Sequence, residues 1–252
     1  MEGRVLVRTA IALSTAIAIL CLATEAMADT IVSSSNNATI QPGGPRGGTN
    51  GKLFFNIEGS SNGSFSDFGV VDFQTPGGAT FGPGEQLSLT VTQDNAAFTA
   101  NGSLGFYVST DTTTGIEPGT SPLAFQGTSL PTGLGTQLDP KYLLGTGMFT
   151  EVANGHTDVF AFTPTGAALA YLTTEIDSAG KIRLIVAPAD ANVAATYAGF
   201  SNTSFAGPML TISSPLSVPE PSTIPLLAGP LIAFVLACRI DVFTRTAGTR
   251  LA

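Results

Sequence analysis

The chain has 252 residues, with 10 basic and 18 acidic side chains, one histidine, two cysteines and no tryptophan. Both cysteines, Cys21 and Cys238, sit in apolar terminal segments, so the stretch 29–217 excludes a disulfide, a thiol nucleophile and a cysteine-ligated metal. That stretch carries fourteen carboxylates against five cations (Arg46, Lys52, Lys141, Lys181 and Arg183), a net charge of −9. It lacks the clustered Lys and Arg that release counterions from nucleic acid, which excludes nucleic-acid binding.

At the N-terminus, Arg4 and Arg8 precede an apolar run over 11–22, and Ala26-Met27-Ala28 offers the small residues a signal peptidase reads. Residues 1–28 are therefore expected to be a signal peptide. Ala26 and Ala28 mark the cleavage site, and Asp29 becomes the first mature residue.

Beyond the signal peptide, charge is sparse and Gly, Ser, Thr and Asn fill the polar positions, as in exported β proteins. The Gly- and Pro-rich piece 41–51 is expected to be irregular. Period-two alternation then recurs. Leu87, Leu89 and Val91 alternate with Ser88, Thr90 and Thr92, and Ile182, Leu184 and Val186 with Lys181, Arg183 and Ile185. Shorter runs at 53–57, 68–73, 104–109, 158–162 and 209–212 complete the set of expected strands. Pro76-Gly77-Gly78, Gly82-Pro83-Gly84, Asn101-Gly102 and Ala179-Gly180 are read as the turns between strands.

One segment has a helical period. Thr163 reads as an N-cap, Pro164 as the first helical residue and Gly180 as the C′ glycine. Ala168, Leu169, Leu172 and Ile176 share a face, predicting a short packing helix over about 165–178. The expected fold is all-β: a single β-sandwich or jelly roll (29–212) with one short helix. The order of elements over 157–212 resembles the end of DNRLRE-type domains, jelly-roll modules related in shape to carbohydrate-binding modules. This resemblance rests on the helix, the Ile-Arg-Leu-Ile-Val strand, Gly199-Phe200-Ser201-Asn202 and Pro208-Met209-Leu210-Thr211-Ile212.

Reactive constellations are scarce. His156 sits in a turn entering a strand, and no Gly-x-Ser-x-Gly nucleophile elbow adjoins it. Glu58, Asp72, Asp94, Glu151, Asp158 and Glu175 are scattered singly rather than paired for glycoside hydrolysis. Asp67 with Asp72, or Asp94 with Asn95, offers the oxygens calcium takes, but the spacing matches no calcium loop. No metal, no cofactor and no catalytic residue is expected. Tyr107, Tyr142, Tyr171 and Tyr197 are spread along the chain, with Tyr107 and Tyr171 assigned to packing. Glycosylation triplets begin at Asn37, Asn62, Asn101 and Asn202, as chance allows in so Asn-, Ser- and Thr-rich a chain.

The C-terminus carries the most specific pattern. A linker over 213–217 leads to Val218-Pro219-Glu220-Pro221-Ser222-Thr223, then an apolar run from 224 to 238, then Arg239, Arg245 and Arg250. A spanning helix needs about 20 residues, which the run reaches by continuing to 243 with Arg239 snorkelling. No polar face exists between Leu226 and Cys238, which rules out a soluble amphipathic helix, and the arginines fit the positive-inside rule. Residues 218–252 resemble the PEP-CTERM sorting signal of Gram-negative and related bacteria. The region is also known as an ice-binding protein C-terminal domain, a label that carries no evidence of ice binding. Ile224 replaces the aromatic residue often found there, and the arginines are dispersed.

The resemblance implies a substrate of the membrane enzyme exosortase, with Glu220 read by the enzyme and the two prolines keeping the segment extended. The expectation is an exported, non-enzymatic cell-surface or extracellular-matrix protein. Signal peptidase and exosortase would process it, and its C-terminal helix would hold it in the membrane beforehand. The alternative is a carbohydrate-binding module acting on exopolysaccharide.

Overall fold

The computed structural model describes residues 29–42, 44–47, 50–95, 98–117 and 138–213. The expected signal peptide (1–28), residues 214–217 of the expected linker and the expected sorting signal (218–252) lie outside the described residues. Within them the chain is mostly β, with one helix longer than two turns.

The longest strand, β1 (Thr30–Gln41), was not among the expected ones, because Ser33-Ser34-Ser35-Asn36-Asn37 shows no alternation. Its organising role comes from a bulge. Thr30 to Ser33 pair with β11 (Met209–Ser213), whereas from Ser34 onward β1 pairs with β4 (Phe68–Gln74), with a register shift between Ser34 and Asn36. A bulge bends a strand and re-aims its side chains, so one strand serves two parts of the sheet. Ser213, read as the first linker residue, is the last residue of β11 and pairs with Gln86.

The piece 41–51 is more ordered than expected where described. Gly44–Pro45 (β2) folds back on Ile40 and Gln41, and Asn50–Leu53 makes a single helical turn.

The remaining strands are β3 (Phe54–Glu58), β5 (Gln86–Thr92), β6 (Gly102–Ser109), β7 (Leu143–Phe149), β8 (Thr157–Phe162), β9 (Lys181–Pro188) and β10 (Ala194–Ala198). The main sheet runs β7-β6-β9-β4-β1-β11-β5-β8 with antiparallel neighbours throughout. Its two ends come into contact. Phe106 of β6 meets Phe160 and Phe162 of β8 at 4.5 and 5.0 Å between ring centroids. Gly147 of β7 lies so close to Phe160 that a Cβ there would sit 2.5 Å from the ring. Asn101-Gly102, read as a turn, instead opens β6, with Gly102 against Val193.

Inside the curled sheet lies one apolar core, drawn from the alternate residues Val71 and Phe73, Leu87 and Leu89, Leu104 and Phe106, Ile182 and Leu184, and Leu210 and Ile212. Each wholly buried side chain of this size contributes on the order of 1.5–3 kcal/mol. The short β3–β10 ladder packs on the sheet with Phe55 over Gly69, where an added Cβ would fall 2.5 Å from the ring.

A second, smaller core covers the opposite face of β1, β4, β6 and β9. Ala38, Ile40, Phe68, Val70, Ile185 and Ala187 lie there beneath Ile116 and Leu138, with Tyr107 packed beside them. The alternation expected over β9 is present, but the strand is buried on both sides because residues 111–117 lie over it.

The helix α1 (Gly166–Asp177) matches its predicted extent and buries Ala168, Leu172 and Ile176 in the main core. Its ends differ from expectation. Thr165 rather than Thr163 occupies the N-cap, and its side chain makes no capping hydrogen bond. At the other end, Ala179 N–H donates to Ile176 O and Gly180 N–H to Glu175 O, the paired bonds of a Schellman ending. The left-handed C′ position therefore falls on Ala179 (φ 56°), not on Gly180. An L-residue costs about 1–2 kcal/mol in that conformation, and glycine's extra chain entropy offsets part of the relief. Ala179→Gly is expected to stabilise the domain by about 0.5–1 kcal/mol, read as a higher urea midpoint. An unchanged or lower midpoint would count against this account of the helix end.

Candidate functional site

The predicted sorting residues Val218, Pro219, Glu220, Pro221, Ser222 and Thr223, the arginines 239, 245 and 250, and Ala26 and Ala28 all lie outside the described residues. Within the folded domain, the polar side chains gather in three places.

The first surrounds His156. Its imidazole is exposed on the turn before β8 as expected, and Nε2 lies 3.5 Å from Asp158 Oδ1. Asp158 Oδ2 accepts from Tyr197 Oη at 3.1 Å and from Gln93 Nε2 at 2.9 Å. Gln93 Nε2 also donates to Thr150 O, and Gln93 Oε1 accepts from Val152 N–H, so this amide pins the 150–156 turn to the end of β5. Burial first, and then Asp158, push the Tyr197 phenol well above its ordinary value, so it stays a neutral donor. Both Asp158 oxygens are engaged, and among the described residues no hydroxyl is placed on His156 as a nucleophile would be. The group fixes a turn.

The second place joins Asp72 to Arg183. Register alone sets them opposite each other on β4 and β9. Arg183 Nε donates to Asp72 Oδ1 at 2.6 Å and Nη2 to Oδ2 at 2.9 Å, a two-pronged pair. Lys181 Nζ adds a contact to Asp72 Oδ2 at 2.7 Å. Arg183 Nη1 reaches the carbonyls of Asp111 and Thr114, which ties the covering loop down. Burial alone would raise the Asp111 carboxyl, but hydrogen bonds from Thr114 and Thr113 outweigh it and hold it below the usual range. Asp72 is thus fully committed and forms no donor set with Asp67.

Asp94, the other oxygen-rich turn, is also engaged, accepting from Asn95 N–H and from Asn202 Nδ2.

The third place holds Asn56, Glu58 and Asp67. Glu58 and Asp67 exchange backbone hydrogen bonds across an antiparallel bridge at the junction of β3 and β4. Asp67 is completely enclosed. Burial, with Glu58's charge second, drives its carboxyl well above the normal range. Burial also raises Glu58, against lowering contributions from Asn56 and Arg46. Sequence reasoning passed over this group because Asn56 and Glu58 sit in a strand, nine or more residues before Asp67, with no loop spacing to flag them.

The tyrosines are less dispersed than their numbers suggest. Tyr142 and Tyr171 meet edge to face at 6.4 Å, both packed against the main core, whereas Tyr197 is buried inside it. Of the glycosylation triplets, Asn37 is buried with Oδ1 accepting from Phe200 N–H, and Asn202 Nδ2 donates to Leu53 O. Among the described residues, no group of three His, Cys, Asp or Glu side chains is placed to hold a metal.

No protein-family model matches the chain, and no curated protein is significantly similar to it.

Proposed function

We propose that this chain is an exported, non-enzymatic cell-surface or extracellular-matrix protein, sorted and cleaved by an exosortase at its C-terminal motif. The observation that carries the reading is the order of parts after residue 217: Val-Pro-Glu-Pro-Ser-Thr, an apolar run of membrane length, and arginines beyond it. The cleavable leader at the other end supports export. The cargo in this reading is a β-sandwich of jelly-roll type. Its two-sided strands and curled main sheet are compatible with that architecture.

The polar groups of the domain also support a passive role. Asp158 holds a turn, Asp72 and Arg183 hold a loop, and neither assembly presents a free nucleophile beside a base. In this reading signal peptidase, exosortase and the membrane are the partners before maturation, and matrix exopolysaccharide is the partner afterwards.

Mass spectrometry of the mature protein from an exosortase-bearing host tests the processing step. The expected product begins at Asp29 and ends near the Pro219-Glu220-Pro221 motif. In Glu220→Ala the full tail is expected to remain while the domain folds as before. A wild-type mature product that still carries Arg250 defeats the proposal.

A further inference from the structure

Three buried oxygens of one neighbourhood have no hydrogen-bond partner: Asn56 Oδ1 and both carboxyl oxygens of Asp67. Residues two apart on a strand share a face, so Asn56 and Glu58 project together from β3, and Glu58 is bridged directly to Asp67. Asn56 turns its amide nitrogen to Glu58 Oε1 at 3.3 Å and to Thr196 Oγ1 at 3.4 Å. That orientation leaves the amide oxygen as the unused atom.

No donor meets the Asp67 carboxyl in hydrogen-bond geometry, the Glu58 backbone being near enough only for a weak contribution. A buried carboxylate so poorly compensated is among the least favourable things a fold can contain, unless a proton or a cation accompanies it. We propose that Asp67, Glu58 and Asn56 bind a calcium ion. The donors are all oxygens, two carboxylates and one amide carbonyl, and such a set selects hard cations over zinc or copper. Asp67 is wholly enclosed, which suits an ion that gives up its water readily; magnesium dehydrates reluctantly and demands a stricter geometry.

Arg46 acts on both carboxyls through space. A bound cation would hold both carboxyls ionised against the penalty of burial, and one guanidinium leaves the pair an excess of negative charge to balance it. Bound there, the ion ties the end of β3 to the start of β4 across the short 3₁₀ turn Ser60–Phe65. Its role is structural and lies outside the sorting reading.

The test uses the full-length chain in mild detergent, stripped with a chelator and titrated separately with calcium and magnesium. Calorimetry and the thermal unfolding midpoint are the two readouts. Calcium is expected to saturate one site per chain and to raise the midpoint, since a ligand that binds only the folded state stabilises it. Asp67→Asn is expected to abolish both responses, whereas Asp139→Asn, at a solvent-side pair with Lys141, keeps them. If Asp67→Asn does not fold, Glu58→Gln supplies the readout. It should weaken calcium by at least the roughly tenfold that losing even an outer partner costs a metal site. A wild-type protein with no calcium heat and no midpoint shift overturns the proposal. So does tighter binding of magnesium than of calcium, or an undiminished calcium response in both variants.

Discussion

Arg183→Met is expected to destabilise the domain by about 3 kcal/mol, at the lower end of the roughly 3–5 kcal/mol that follows loss of one member of a buried ion pair. Three losses combine. Asp72 loses the donors to both its oxygens, at 2.6 and 2.9 Å, in a site where neither partner reaches solvent. The carbonyls of Asp111 and Thr114 lose their donor. The covering loop that carries Ile116 then loses its buried tie to the sheet and keeps the more exposed contacts of Lys181 with Thr112 O and of Asn36 and Lys52 with Glu117. Lys181, 36% exposed and 2.7 Å from Asp72, keeps part of the compensation and sets the estimate at the lower end. Arg183→Lys should not rescue, because a single ammonium cannot reproduce the two-pronged geometry or reach the loop carbonyls at the same time. Urea unfolding with an unchanged slope checks the value. A loss below about 1 kcal/mol, the size of a surface pair, would show that the pair is not buried in solution. Adding Asp72→Asn to Arg183→Met should recover part of the loss, since it removes the stranded charge.

Phe106→Ala is the second large effect, expected to cost about 3–5 kcal/mol. Phe106 stands where the two ends of the curled sheet meet, against Phe160 and Phe162, and is almost wholly buried. Truncation opens a cavity between β6 and β8, which are far apart along the sheet and meet there through the rings of Phe106, Phe160 and Phe162. A neighbouring change of opposite sense separates packing from mere apolarity. Gly147→Ala adds one carbon where the Phe160 ring already stands 2.5 Å from the Cβ position, and overpacking of this kind costs about 1–3 kcal/mol. Chemical denaturation of both variants should show losses in that order. A Phe106→Ala loss near zero would mean that the ends of the sheet do not pack as described.

Strands that alternate in the sequence could be read directly, and β5 and β8 are the examples. Leu87, Leu89 and Val91 leave Ser88 and Thr90 half-covered as the pattern demands. The strands that escaped notice share a physical cause. β1 is polar through its middle because a bulge, not an alternating face, governs it. β7 replaces apolar residues with Gly145 and Gly147 because the Phe162 and Phe160 rings occupy the space. β10 is built from alanines around Thr196 and Tyr197, buried at every position, so it has no polar face to mark its period. The burial of Arg183 could not be read from its alternating run because cover by a loop distant in sequence leaves no local trace. The same limit hid Asn56 and Glu58, whose partner Asp67 is set by a bridge rather than by spacing. The expected sorting motif differs in kind, since its pattern consists of contiguous residues and needs no fold to bring them together.

The pairing of β1 with β11 has a consequence for the order in which the molecule can be assembled. Among the described residues β11 is the last strand, yet it sits mid-sheet, and its pairing joins β5 and β8 to β1 and the rest of the main sheet. Until residues 209–213 are in place, β5 and β8 therefore lack backbone pairing to β1 and the rest of the main sheet. Such sequence-distant pairing makes closure slow, and no shortened chain ending before β11 has the means to complete it. Closure of the main sheet thus waits on residues 209–213, although most of its strands lie far earlier in the chain.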